Sequence, residues 1–191
     1  MLRIVLLCGV TVALGLTGVA AAGALIATDE VARMIRLPAA QLRWIAIALL
    51  AAVSAYVLSP LFVKRTIRDR SMRLTWPPLR ITAAQAAVGS VNFLLVAAAA
   101  HALIGEVADV SLFAFASVYA LGNTAGILSH VPGGIGVIEA VVLAAAPGAE
   151  VLGAMLTFRV LYYFVPLLIG DIVLAVTEWR SRRHRQAAPE G

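Results

Sequence analysis

Gly122-Asn123-Thr124-Ala125-Gly126-Ile127-Leu128-Ser129-His130-Val131-Pro132-Gly133-Gly134-Ile135-Gly136-Val137-Ile138-Glu139 is the stretch on which the architecture turns. An apolar run ends at Ser129, proline and three glycines fall within residues 132–136, and a second apolar run starts at Val137. Proline removes a backbone donor and glycine disfavours helix, so a helix must break here. If the break lies at membrane depth, its freed N–H and C=O groups must face protein or a water-filled cavity. If it lies outside the hydrocarbon it is a tight turn. Half-helix ends at such a break present partial charges to a ligand, the device used at many transporter sites.

The flanking sequence argues for membrane depth. The chain of 191 residues is 62% hydrophobic and 13% charged, with a mean hydropathy of +0.96, against roughly 25% charged residues in soluble domains. Apolar runs occupy residues 4–27, 44–63, 83–104, 111–129, 137–146 and 151–176. Only 137–146 falls well short of the ~20 residues that cross a bilayer. Backbone groups in hydrocarbon must pair within their own segment, so the runs are read as helices, and strand alternation suited to a barrel is absent. The expected fold is an all-α, polytopic helical membrane protein in one transmembrane domain over residues 1–180. It has about four full transmembrane helices, with 111–129 and 137–146 forming a re-entrant or broken helical hairpin. The first run is too long for the apolar core of a signal peptide and is read as an uncleaved span. The alanines at 97–100 suit close helix packing, and Cys8, the one cysteine, is expected to be a small packing residue.

The net charge of +5 sets orientation and does not point to nucleic acid as a partner. Lys64, Arg65, Arg68, Arg70, Arg73 and Arg80 lie between the second and third runs, and Arg180, Arg182, Arg183 and Arg185 follow the last. With Arg3 they place both termini on the cytoplasmic side, and residues 181–191 read as a disordered basic tail. Arg33, Arg36 and Arg43, tempered by Asp29 and Glu30, fall opposite, as do Glu106 and Asp109.

One charged residue stands inside a span. Arg159 lies about one third of the way along the last run, with Tyr162 and Tyr163 at i+3 and i+4 on its helical face. An intramembrane arginine must face the interior and find a partner. Glu139 is one candidate and a lipid phosphate the other, since the planar guanidinium binds either bidentately. Gly122 and Gly126 read as a helix-packing pair; His130 and His101 read as interfacial histidines. The chain contains no HExxH, GxSxG or GxxxxGK motif and no metal-spaced cluster of Cys and His. No catalytic residue, metal or cofactor is assigned, and the chain is not expected to be an enzyme.

Leu128-Ser129-His130-Val131-Pro132-Gly133-Gly134-Ile135-Gly136-Val137-Ile138-Glu139 resembles the signature of the lysylphosphatidylglycerol synthase transmembrane region, also called the UPF0104 membrane family. Arg159-Val160-Leu161-Tyr162-Tyr163-Phe164-Val165-Pro166 is similar to its second characteristic segment. The likeness covers residues 83–176. Bifunctional members join a flippase-like membrane domain to a soluble domain that makes aminoacylated phosphatidylglycerol. No such soluble domain is found here, so the resemblance implies lipid handling without aminoacyl transfer. Members usually carry further N-terminal helices, so the chain is expected to start partway through that pattern.

The implied role is translocation of an anionic or aminoacylated phospholipid, or of a related lipid-linked substrate, in the bacterial inner membrane. The expected substrate-binding residues are Arg159, Glu139, Ser129, Pro132, Gly133, Gly134, Gly136, Tyr162, Tyr163 and Asn123. Two alternatives stand beside it. One is a non-catalytic membrane partner of an envelope glycosyltransferase or lipid-modifying enzyme, docked through residues 64–80; the other is an intramembrane enzyme with Glu139 as base. A homo-oligomer is also open.

Overall fold

The computed structural model describes residues 2–62, 67–68, 73–74 and 77–187, with side chains over residues 7–62 and 77–179. The helices are α1 (Leu2–Ile26), α2 (Thr28–Ile35), α3 (Ala39–Phe62), α4 (Leu79–Ile104), α5 (Leu112–Leu128), α6 (Val137–Ala145), α7 (Ala149–Arg159) and α8 (Val165–Ala187). A 3-10 turn at Pro132–Gly134 separates α5 from α6, and a π turn at Val160–Phe164 joins α7 to α8. Strand pairing among the described residues is limited to β1 (Ile67–Arg68) against β2 (Arg73–Leu74). The fold is all-α, and four stretches are long and apolar enough to cross a membrane: Leu7–Ile26, Ala39–Phe62, Leu79–Ile104 and Ala149–Trp179.

Two span boundaries move outward. α3 begins at Ala39 and α4 at Leu79, ahead of the apolar runs at 44 and 83. Backbone hydrogen bonding carries a helix on through Gln41, Arg43 and Arg80 wherever those side chains reach the wet interface. α2 is an element that the apolar runs did not reveal. Its Asp29 and Glu30 fall in the first turn, Val31 and Ala32 are buried, and it ends at Arg36 in the left-handed conformation with Pro38 beyond. At the other end of the chain, α8 continues to Ala187, past the start of the expected disordered tail at 181. Arginine, glutamine and alanine propagate a helix, and no glycine or proline intervenes before Pro189. Most of the basic segment 64–80, including Lys64, Arg65 and Arg70, lies outside the described residues.

α1 packs against α3, α4 and α5. Where α1 crosses α4, a methyl group on Gly15 would overlap the backbone of Gly89, and one on Gly89 would overlap the Thr11 carbonyl. Helices in lipid gain little from excluding water between them, so close approach at small residues supplies the contact. Ala97 and Ala100 are fully buried against the aromatic core of Phe115 and Tyr119. Cys8, by contrast, is exposed and does not pack against a neighbouring helix among the described residues.

Polar contacts tie the two ends of the bundle. At one end the Tyr56 hydroxyl donates to Gln85 Oε1 at 3.3 Å, Gln85 Nε2 donates to the Leu7 carbonyl at 3.3 Å, and Thr82 Oγ1 donates to the Val57 carbonyl at 2.9 Å. At the other, the Ser111 N–H donates to Glu30 Oε1 at 2.7 Å and His101 Nε2 lies 2.7 Å from the Val110 carbonyl. A 490 Å³ cavity lined by Val107, Ala108 and residues 146–151 puts the α4–α5 and α6–α7 connections at this same end. α5 and α6 therefore leave it and return to it.

Candidate functional site

The break begins where α5 runs out. Ser129 ends the helix, its hydroxyl donating to the Gly126 carbonyl at 2.9 Å, and His130 takes φ 55°. Left-handed backbone is uncommon for non-glycine residues, though histidine tolerates it better than most. Gly133, Gly134 and Gly136 follow at φ 65°, 59° and 82°. Such a run of left-handed positions requires glycine. Gly122 and Gly126 receive the returning chain: a methyl on Gly126 would stand 3.2 Å from Gly134 Cα, and one on Gly122 would stand 3.3 Å from Ile138 Cα. They are a packing face. The 17 residues of α5 amount to about 25 Å of helix and the 9 of α6 to about 14 Å. Both arms are shorter than a hydrocarbon layer of ~30 Å.

α6 opens with Glu139 in its first turn, where a carboxylate suits the helix dipole. Glu139 Oε2 accepts from the Gly136 N–H at 2.9 Å. From α7, Arg159 reaches the same group: Nε pairs with Glu139 Oε1 and Nη2 donates to Oε2 at 3.1 Å. Its other bonds go to the break itself. Nη1 donates to the Gly133 carbonyl and Nη2 to the Gly134 carbonyl, both at 3.1 Å. The pair is largely buried, with 13% of the Arg159 side chain and 8% of the Glu139 side chain exposed. One side chain thus neutralises an intramembrane carboxylate and satisfies two carbonyls that the glycines had freed. This is how a charge and a broken helix are tolerated at depth.

One of the two tyrosines expected beside Arg159 turns away from it. Pro166 cannot donate to the Tyr162 carbonyl and its ring crowds it, and the chain widens into the π turn with the Val165 N–H on the Val160 carbonyl. Tyr163 is the residue beside Arg159, with Cζ 6.0 Å from its ring centroid. Tyr162 stacks on Phe158 at 5.2 Å and meets the Tyr163 ring edge-on at 5.0 Å. Both tyrosines are nearly half exposed.

Arg159, Glu139, Gly133, Gly134, Gly136 and Tyr163 thus form one cluster, with Pro132 opening its turn. Ser129 and Asn123 are spent locally, Asn123 Nδ2 donating to the Tyr119 carbonyl at 2.8 Å within α5. The reading from sequence missed the two glycine carbonyls as acceptors; the signal for them is the Pro-Gly-Gly run itself, which turns carbonyls out of a helix. Among the described residues no group of His, Cys, Asp or Glu is arranged to hold a metal ion.

Comparison with known proteins identifies relatives among membrane proteins. The inner membrane protein YbhN of Escherichia coli is 33% identical over 150 residues, which is 75% of this chain and 46% of that protein. An uncharacterized protein of Synechocystis is 33% identical over 118 residues, 60% of this chain and 37% of its own length. A phosphatidylglycerol lysyltransferase of Staphylococcus aureus is 35% identical over 71 residues, 35% of this chain and 8% of the enzyme. The chain spans less than half the length of each of these relatives. No family model matches it.

Proposed function

We propose that this chain belongs to the lysylphosphatidylglycerol synthase transmembrane family and handles lipid in the bacterial inner membrane. Its role there is to translocate an anionic or aminoacylated phospholipid or a related lipid-linked substrate, with no catalytic step of its own. The observation that carries this reading is Arg159, an arginine inside a span held by Glu139 against the non-helical backbone of a broken hairpin. Intramembrane charges beside irregular backbone mark substrate paths, and the relatives are an inner membrane protein and a lysyltransferase named for phosphatidylglycerol.

Arg159 is not a free anion receptor. Nε and Nη2 are occupied by Glu139 and Gly134, and Nη1 retains an N–H beyond the one given to Gly133. A lipid phosphate would be received at Nη1, on the side where Gly133 is exposed and has no side chain to block the approach. Glu139 holds the guanidinium plane in place for that contact, and Tyr163 flanks it.

The test is leaflet-to-leaflet movement of fluorescent phosphatidylglycerol, lysyl-phosphatidylglycerol and phosphatidylcholine in liposomes carrying the purified chain. Arg159→Lys keeps the charge and removes the fork. Faster exchange of phosphatidylglycerol and lysyl-phosphatidylglycerol than of phosphatidylcholine, lost in an Arg159→Lys variant that remains folded, is the expected result. Equal exchange of all three lipids, or full exchange in the variant, would overturn the assignment.

A further inference from the structure

A second site lies away from the hairpin and does not depend on its reading. Near the end of the bundle that carries α2, the helices α1, α2, α3 and α5 enclose a half-open groove of 330 Å³ whose walls expose no polar surface. Small side chains make the space: Ala24 on α1 and Ala46 on α3 stand where larger residues would close it. Leu49 and Leu121 line its deeper part, ten residues along α3 and nine along α5 from the starts of those helices. Ser117, the one hydroxyl in the wall, is spent on the Ala20 and Phe113 carbonyls at 3.1 and 2.9 Å. The cavity is about twice the size of the ~150 Å³ apolar void that takes up benzene and stays dry. Water has no partner there, and a flexible alkyl chain fits.

The segments that line the groove also carry the opposite chemistry. Arg36 stands between the lining residues Ile35 and Leu37, and Arg43 directly follows the lining residue Leu42. Both arginines are exposed, and neither side chain has a hydrogen-bond or ion-pair partner among the described residues. Arg33, one turn before Arg36, is held by the Asp29 carbonyl at 3.2 Å. Trp44, 72% exposed beside Arg43, has the amphipathic ring that settles at headgroup level. Two arginines that adjoin, along the chain, the lining of an apolar slot match one ligand, in which a phosphate sits next to an alkyl chain.

We propose that this groove is a phospholipid-binding site: one acyl chain of an anionic diacyl lipid lies between α1, α3 and α5, and its phosphate is held by Arg36 and Arg43. The acyl chain gains shape complementarity and not water exclusion, because the surrounding lipid is equally apolar. Headgroup choice therefore rests on the arginines.

The test uses nanodiscs of phosphatidylcholine containing the full chain and a trace of phospholipid with a photoactivatable diazirine on one acyl chain, offered as phosphatidylglycerol or as phosphatidylcholine. Labelled peptides are mapped by mass spectrometry. The phosphatidylglycerol probe is expected to label the segments around Leu49 and Leu121 several-fold above the lipid-facing Leu167–Leu168 segment of α8. Arg36→Gln with Arg43→Gln is expected to lower that labelling about tenfold, to the level of the phosphatidylcholine probe. Ala46→Phe should abolish it for both probes; Leu121→Trp, at a side chain already open to the groove, does the same if the buried Ala46 site rejects a ring. Labelling no higher than on α8, or unchanged by Leu121→Trp, overturns the site. Equal labelling by both headgroups overturns the role of the arginines, and cross-linking of these segments to a second copy of the chain overturns the lipid as occupant.

Discussion

At the crossing of α1 and α4, Gly15 and Gly89 bring backbone against backbone with no charged side chain involved. Where the hairpin meets α7, a guanidinium bridges a carboxylate and two carbonyls. Both contacts join helices inside the membrane, yet the first is held by shape and the second by charge. In lipid, apolar faces have no water to exclude, so the first contact rests on dispersion over a short distance and any added atom separates it. The second exists because a broken helix leaves acceptors that lipid cannot satisfy. The two contacts should therefore fail in different ways.

The largest effect is expected at the polar contact. Arg159→Ala leaves Glu139 buried with only the Gly136 N–H and strands the Gly133 and Gly134 carbonyls, a loss of about 3–5 kcal/mol. Reversible unfolding in mixed micelles measures it, and a loss under about 1 kcal/mol would mean that the pair is not closed in the membrane. Gly89→Ala should cost about 1–3 kcal/mol by pushing α1 from α4; a neutral result would show that the helices can separate freely.

The comparison sharpens in a double substitution. Arg159→Met with Glu139→Leu removes both charges and is expected to cost about 2 kcal/mol less than the sum of the single losses, because no unpaired ion remains. Gly15→Ala with Gly89→Ala offers no such recovery, since two methyl groups crowd one crossing. Ser117→Ala, which removes the bond from α5 to the Ala20 carbonyl, should cost about 1 kcal/mol. The smallest effect is a gain: His130→Gly relieves the left-handed backbone at φ 55° and should stabilise the hairpin by up to about 1 kcal/mol. A loss there would assign the imidazole a structural bond beyond its contact with the Leu128 carbonyl at 2.9 Å.

Much of this was legible before any coordinates. The spans follow from apolar length, the break from Pro132 and its glycines, and Glu139 as one of two candidate partners for Arg159 from the cost of leaving an arginine unpaired at depth. α2 was not legible as a separate helix, because its eight residues mix charge and apolar side chains at an interface where hydropathy is uninformative. Of the two tyrosines expected beside Arg159, Tyr163 is there and Tyr162 stacks on Phe158 instead, at a π turn that a fixed helical period does not anticipate.

Taken alone, the amino-acid order determined that the chain is a helical membrane protein, about where its long apolar helices fall and where one of them must stop. Those properties depend on local backbone chemistry and on solvation by lipid, which are felt residue by residue. The tertiary structure alone decided that Arg159 spends its donors on Gly133, Gly134 and Glu139, that Gly15 faces Gly89, and that Ala24 and Ala46 leave a groove lined by Ile35, Leu37 and Leu42. Each of these joins residues far apart in the chain, and only packing in three dimensions sets which side chain reaches which partner.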